Sequence, residues 1–121
     1  MSKEKIFIFD TTLRDGAQTE GVDFSLEDKK RIANILSEIG IDYVEGGGPG
    51  ANPVDTEFFS KPLNLNKTIF TAFGMTKKTG RSAENDPSLS PLINASCSAV
   101  CVVGKAWDFH VKTALGIKNV D

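Results

Sequence analysis

Four short apolar runs, starting near residues 6, 42, 68 and 99 and separated by stretches with helical punctuation, constrain this chain more than any other feature. Antiparallel strands can follow one another through two-residue turns, but parallel strands need a long crossover, usually a helix. The βαβα order therefore predicts an α/β fold with a parallel sheet. No linker or domain boundary interrupts the pattern, and no residue-level repeat accompanies it. Periodicity alone leaves a barrel fragment and an open doubly wound sheet both possible.

The punctuation is specific. Ile6 to Asp10 reads as the first strand. Ser25 with Asp28 three residues on forms a capping box, Ile32, Ile35, Leu36 and Ile39 recur at helical spacing, and Gly40 is a natural left-handed terminator. Asp42 to Gly46 is the second strand. Asn52-Pro53 then supplies a side-chain cap and a proline at the first helical position, and the helix runs through Asp55, Glu57, Phe58 and Phe59 to Pro62. Thr68 to Phe73 is the third strand, and the polar loop GMTKKTGRSAEND follows it. Asp86-Pro87 repeats the cap-then-proline start, but Pro91 removes a helical hydrogen bond, so a short, late-starting or kinked helix is expected. Ala99 to Val103 is the fourth strand.

The sequence holds 121 residues, 40% hydrophobic and 25% charged, with a net charge of −2, which gives no reason to expect a nucleic-acid or membrane-surface partner. No apolar run approaches the ~20 residues of a membrane span, and IFIF is shorter than the ~7–15 residues of a signal-peptide core. A cytoplasmic location is expected by default. Cys97 and Cys101 flank ASCSAVCVV, which reads as a buried strand; four steps of about 3.3 Å hold them roughly 13 Å apart, beyond disulfide reach. Two reduced, packed thiols are expected.

The ionisable residues that end the strands carry the chemistry. Arg14 and Asp15 follow the first strand abruptly, and Glu45 closes the second, so the three converge if those strands are parallel neighbours. Arginine offers a planar fork of donors for a carbonyl or carboxylate oxygen, and aspartate is a hard oxygen ligand. The plainer readings are an exposed loop pair and a strand-end carboxylate paired with Arg14 for structure. Glycines after Glu45 allow close approach of backbone to a ligand. Gly46 to Gly50 lacks the spacing of a nucleotide-binding loop, so nucleotide-fold readings are rejected.

FDTTLRDGAQ with Glu45, together with EGGGPGANPVDTEFF, AFGMTKKTGRSAENDP and VVGKAWDFHV, resembles the citramalate synthase branch of the 2-isopropylmalate and homocitrate synthase family, in register from Ile6 to Gly116. The resemblance implies a (β/α)8 TIM barrel. Such a barrel takes about 250 residues, so residues 1–121 would be one partial catalytic domain, the N-terminal half with about four parallel strands. The implied activity is acyl transfer by Claisen condensation of acetyl-CoA with a 2-keto acid, pyruvate giving citramalate, in branched-chain amino-acid biosynthesis. The implied cofactors are a divalent metal (Mg²⁺, Mn²⁺ or Zn²⁺) and acetyl-CoA as co-substrate.

Carried over by position, Asp15 is the metal ligand, Arg14 stabilises the oxygen on which charge builds, and Glu45 orients the arginine and substrate. Gln18 and His110 fall near the substrate, although a lone histidine in WDFHV is by base rate a packed helix residue. His110 is the sole histidine of the sequence, so the family's His-x-His metal pair is absent. Gly48 departs from the large aromatic residue of the family motif. Lys77, Lys78 and Arg81 make the third loop basic, as a solvated loop does, or in contact with coenzyme A phosphates or a substrate carboxylate. Two other readings stand beside the synthase: an HMG-CoA-lyase-like or carboxyltransferase member of the same barrel family, and a non-catalytic half-barrel that persists by self-association. A homo-oligomer is expected.

Overall fold

The computed structural model describes residues 3–118. Strands β1 (Phe9–Asp10), β2 (Tyr43–Gly47), β3 (Ile69–Met75) and β4 (Ala99–Val103) lie side by side in chain order, every pair parallel. Helices α1 (Leu26–Glu38), α2 (Pro53–Phe58) and α3 (Ser90–Ile93) fill the crossovers, and α4 (Asp108–Thr113) follows β4. A doubly wound sheet reverses its strand order at a switch point. The order 1-2-3-4 has no reversal, which is the winding of a barrel arc.

Each crossover begins where its sequence signal lies. The Ser25 hydroxyl accepts the Asp28 N–H (3.1 Å) while the Asp28 carboxylate accepts the Ser25 N–H (3.0 Å), and Gly40 turns the chain at φ +89°. Asn52 accepts the Asp55 N–H at 2.8 Å. Asp86 does not cap a helix: α3 starts at Ser90, with Pro91 in its first turn, where a missing N–H costs nothing. The buried Asp86 carboxylate instead accepts the N–H groups of Lys78 (2.6 Å) and Ser88 (2.7 Å), closing the basic loop on itself.

The core is aromatic. Phe59 stacks on Phe70 with centroids 4.5 Å apart, Phe58 meets Phe70 edge-on at 4.9 Å, and Val44, Leu13, Ala33 and Ala72 complete the buried cluster. The stack presses so closely on β2 that a Cβ at Gly46 would lie 2.3 Å from the Phe70 ring, so this position must be glycine.

Three expectations need correction. The first strand is only Phe9–Asp10, and Ile6, Phe7 and Ile8 are exposed. The buried stripe of α1 is Lys29 and Ala33, flanked by half-buried Ile32 and Leu36, whereas Ile35 and Ile39 face outward. β4 is not buried: Val100, Val102 and Val103 are exposed, and Cys97 precedes the strand. β1 and β4 are the two edges of the four-stranded sheet, and among the described residues no further strand covers their outer sides. Cys97 and Cys101 are free and half-buried.

Candidate active site

At the C-terminal end of β1 the Asp10 carboxylate accepts the Thr12 N–H (2.9 Å) and hydroxyl (3.1 Å). The Thr11 carbonyl then receives the N–H groups of Arg14, Asp15 and Gly16 at 3.1, 2.8 and 3.2 Å. This tight turn folds Arg14 back across the sheet end. Its Nε donates to Glu45 Oε1 on β2, and its guanidinium lies 4.2 Å above the centre of the Phe73 ring on β3. Arg14 is therefore held by charge on one edge and by a π face on the other. Asp15 Oδ1 stands 3.6 Å from Arg14 Nη1 but points to solvent, its side chain 66% exposed against 1% for Glu45. The three residues do converge, with Glu45 at the bottom and Asp15 at the rim.

Cys101 on β4 is part of this neighbourhood. Burial raises its thiol above the usual range, and the charge of Glu45 adds to the shift while Arg14 opposes it. Burial likewise raises Cys97. Both stay protonated at neutral pH.

Beneath the site lies a buried ion pair that sequence reading missed. Lys29 Nζ donates to the Leu13 carbonyl at 2.7 Å, the Gly46 carbonyl at 2.9 Å and Asp55 Oδ1 at 2.5 Å. Leu13 precedes Arg14 and Gly46 follows Glu45, so one ammonium ties both arms of the Arg14–Glu45 pair to α2. The other Asp55 oxygen accepts the Gly48 N–H at 2.9 Å. Gly47 makes this possible: its φ is +139°, and a Cβ there would lie 2.4 Å from Asp55. The signal was present, since Lys29, Ile32, Ala33 and Leu36 recur at i, i+3, i+4 and i+7, which sets a lysine on the apolar stripe.

Arg14, Gln18, Gly48, Asp55 and Phe73 line a cavity of about 420 Å³. Gln18, in a 3₁₀ turn over Gly16–Gln18, is thus on the same wall as Arg14. His110 is not: it sits on α4 with its ring edge-on to Trp107 at 4.7 Å and lines neither this cavity nor the larger one beside it. No group of three His, Cys, Asp or Glu side chains able to hold a metal occurs among the described residues. Asp15 offers one exposed carboxylate, so the described residues alone do not make up a metal's ligand set. No helix among the described residues is long and apolar enough to cross a membrane.

A barrel-type strand order with an Arg-Asp pair after β1 and a buried Glu on β2 defines a class, and the HMGL-like family matches residues 5–120; the chain belongs to that family. Among its curated relatives, (R)-citramalate synthase of Aquifex aeolicus is 51% identical over 114 residues, covering 93% of this chain and 22% of the relative. (R)-citramalate synthase of Sulfolobus acidocaldarius is 45% identical, covering 100% and 24%. 2-Isopropylmalate synthase of Sulfurisphaera tokodaii is more distant, 34% identical over 95% of this chain and 28% of the relative. The chain thus spans only 22% to 28% of the length of these proteins.

Proposed function

We propose that this chain is the N-terminal part of the catalytic barrel of a citramalate synthase, which condenses acetyl-CoA with pyruvate. The observation that carries this reading is the Arg14–Glu45 pair: a permanent cation with a buried anchor, lining a cavity at the sheet end where such sites lie. The greater similarity to citramalate synthases than to the 2-isopropylmalate synthase favours pyruvate over a bulkier keto acid.

In the reaction a base takes a proton from the acetyl carbon, that carbon attacks the keto carbon of pyruvate, and the keto oxygen gains negative charge before it takes up a proton as the product hydroxyl. Arg14 donates to this oxygen as an oxyanion hole does, while Glu45 and the Phe73 ring keep its fork aimed and Gln18 contacts substrate from the same wall. Water then cleaves the thioester, giving citramalate and free coenzyme A. Asp15 would supply one oxygen ligand to a divalent cation; the other ligands are not among these residues. His110, which lines neither cavity, is given no contact in this step. A cytoplasmic location and a homo-oligomer belong to the same proposal.

The test follows thiol release from acetyl-CoA by a full-length version of the protein offered pyruvate, 2-oxoisovalerate or 2-oxoglutarate. Pyruvate should be preferred. Release with 2-oxoisovalerate alone would move the protein to the 2-isopropylmalate branch, and cleavage of a hydroxyacyl-CoA without condensation would favour the lyase reading.

A further inference from the structure

The β1–β2 ladder ends at Asp10 and Val44, its last Cα partners, so Leu13 and Gly46, which flank Arg14 and Glu45, are not ladder partners. At the same level the register between β2 and β3 shifts: Glu45 faces Thr71 and Gly47 faces Ala72, so Gly46 is skipped. A bulge of this kind leaves the extra residue unpaired and re-aims the side chains beside it. The Gly46 and Leu13 carbonyls both accept from Lys29 Nζ, at 2.9 and 2.7 Å. One ammonium thus joins the two segments just where the ladder stops. Its third acceptor is Asp55 Oδ1, and Asp55 Oδ2 in turn accepts the Gly48 N–H. An ammonium has three N–H donors and no more. Lys29 is 3% exposed and lies on the wall of the cavity that holds Arg14, yet all its donors are committed to protein oxygens.

We propose that Lys29 is a positioning residue for the condensation, holding Arg14 through the Leu13 and Gly46 carbonyls so that the guanidinium meets the keto oxygen as charge builds there. The inference rests on the condensation reading given above and goes beyond it by giving a role to a residue that touches no substrate. The Arg14–Glu45 contact joins only the tips of two side chains, whereas the Lys29 tie fixes the peptides from which those side chains spring. An oxyanion donor acts by being in place before charge develops, and a misplacement of about 1 Å can cost on the order of 10²-fold in rate. A purely stabilising role predicts that activity follows the folded fraction. Positioning predicts a loss in molecules that are fully folded.

Thiol release from acetyl-CoA with pyruvate, by a full-length version of the protein, tests this in variants shown to be folded by circular dichroism. Lys29→Met, which keeps most of the volume and removes the donors, should lower kcat by about 10–100-fold. KM for both substrates should stay within about threefold, as for an interaction made only in the transition state. Leu65→Ala, a core deletion ahead of β3 at the far end of the sheet, should destabilise the protein but keep kcat within about threefold of the parent. In the Arg14→Ala background, adding Lys29→Met should change kcat by no more than about twofold, because the residue it aims is gone. Where Lys29→Met does not fold, Lys29→Met/Asp55→Leu leaves no charge of the pair unpartnered and carries the same expectations. Folded Lys29→Met with kcat within about threefold of the parent would overturn the proposal, as would an equal loss in Leu65→Ala or a full further loss in the Arg14→Ala background. No thiol release by the parent would end the condensation reading and this inference with it, whereas release by the parent with an unaltered Lys29→Met would end the inference alone.

Discussion

Arg14 and Glu45, thirty-one residues apart, meet as a hydrogen-bonded ion pair in which the carboxylate is 1% exposed and the arginine 23%. Breaking a fully buried pair costs about 3–5 kcal/mol because a charge is left without its partner. Arg14 retains some water, so Glu45→Ala should cost less, about 2 kcal/mol, and Glu45→Gln less again. Urea denaturation of the three proteins measures this. An unchanged midpoint for Glu45→Ala would mean that the arginine stands without its anchor.

Lys29 is the more demanding case, since its ammonium is buried and holds three oxygens at once. Lys29→Met should destabilise by about 3–5 kcal/mol, and Lys29→Met/Asp55→Leu should recover only part of the loss, because Asp55 also serves the Gly48 N–H. A double-mutant cycle that gave additive costs within about 0.5 kcal/mol would remove the coupling claimed here.

Asp86 sets an acid limit. Three backbone N–H groups, that of Lys78 foremost, hold its carboxyl down at about 2, below the ordinary aspartate range, while burial opposes them. A group with a depressed folded pKa contributes stability that is present above its unfolded value and lost as pH falls through the folded one. The parent should therefore lose stability between about pH 4 and pH 2, and Asp86→Asn should show a shallower fall over that window. Parallel urea midpoints against pH would contradict the role given to this carboxylate.

The two thiols give a test without mutation. Burial raises both Cys97 and Cys101, and Glu45 adds to the shift at Cys101. Thiolate is the nucleophile, so iodoacetamide near pH 8 should alkylate the folded chain several-fold more slowly than the same chain in urea. Equal rates would place at least one thiol in open solvent.

Much of this arrangement is legible in the residues themselves. Ser25, Asp28, Gly40, Asn52 and Pro53 act locally, through hydrogen bonds and φ preferences that reach no further than four residues, and each stands where its chemistry predicts. The convergence of Arg14 and Glu45 needed only the parallel pairing of β1 and β2, which strand spacing implies. Other features depend on distant partners. Lys29 reads as a surface lysine until Asp55 and two carbonyls are brought to it, and Phe73 reads as a strand residue until Arg14 lies on its face. Ile6, ahead of β1, and Val102, on β4, are apolar in sequence and exposed in the structure, because burial there needs neighbours that the described residues do not contain. Asp86 followed a familiar cap-and-proline pattern, yet Pro91 delays the helix and leaves the carboxylate to close a loop.

The central claim is that Arg14 stabilises the charge that builds on the keto oxygen during condensation. Thiol release from acetyl-CoA with pyruvate, by a full-length version of the protein and its Arg14→Ala variant, measures it most directly. Loss of an oxyanion donor should lower turnover by about 10²–10³-fold while melting changes far less than the activity does. Turnover within about fivefold of the parent, from a folded variant, would contradict the role of Arg14 and the account built on it.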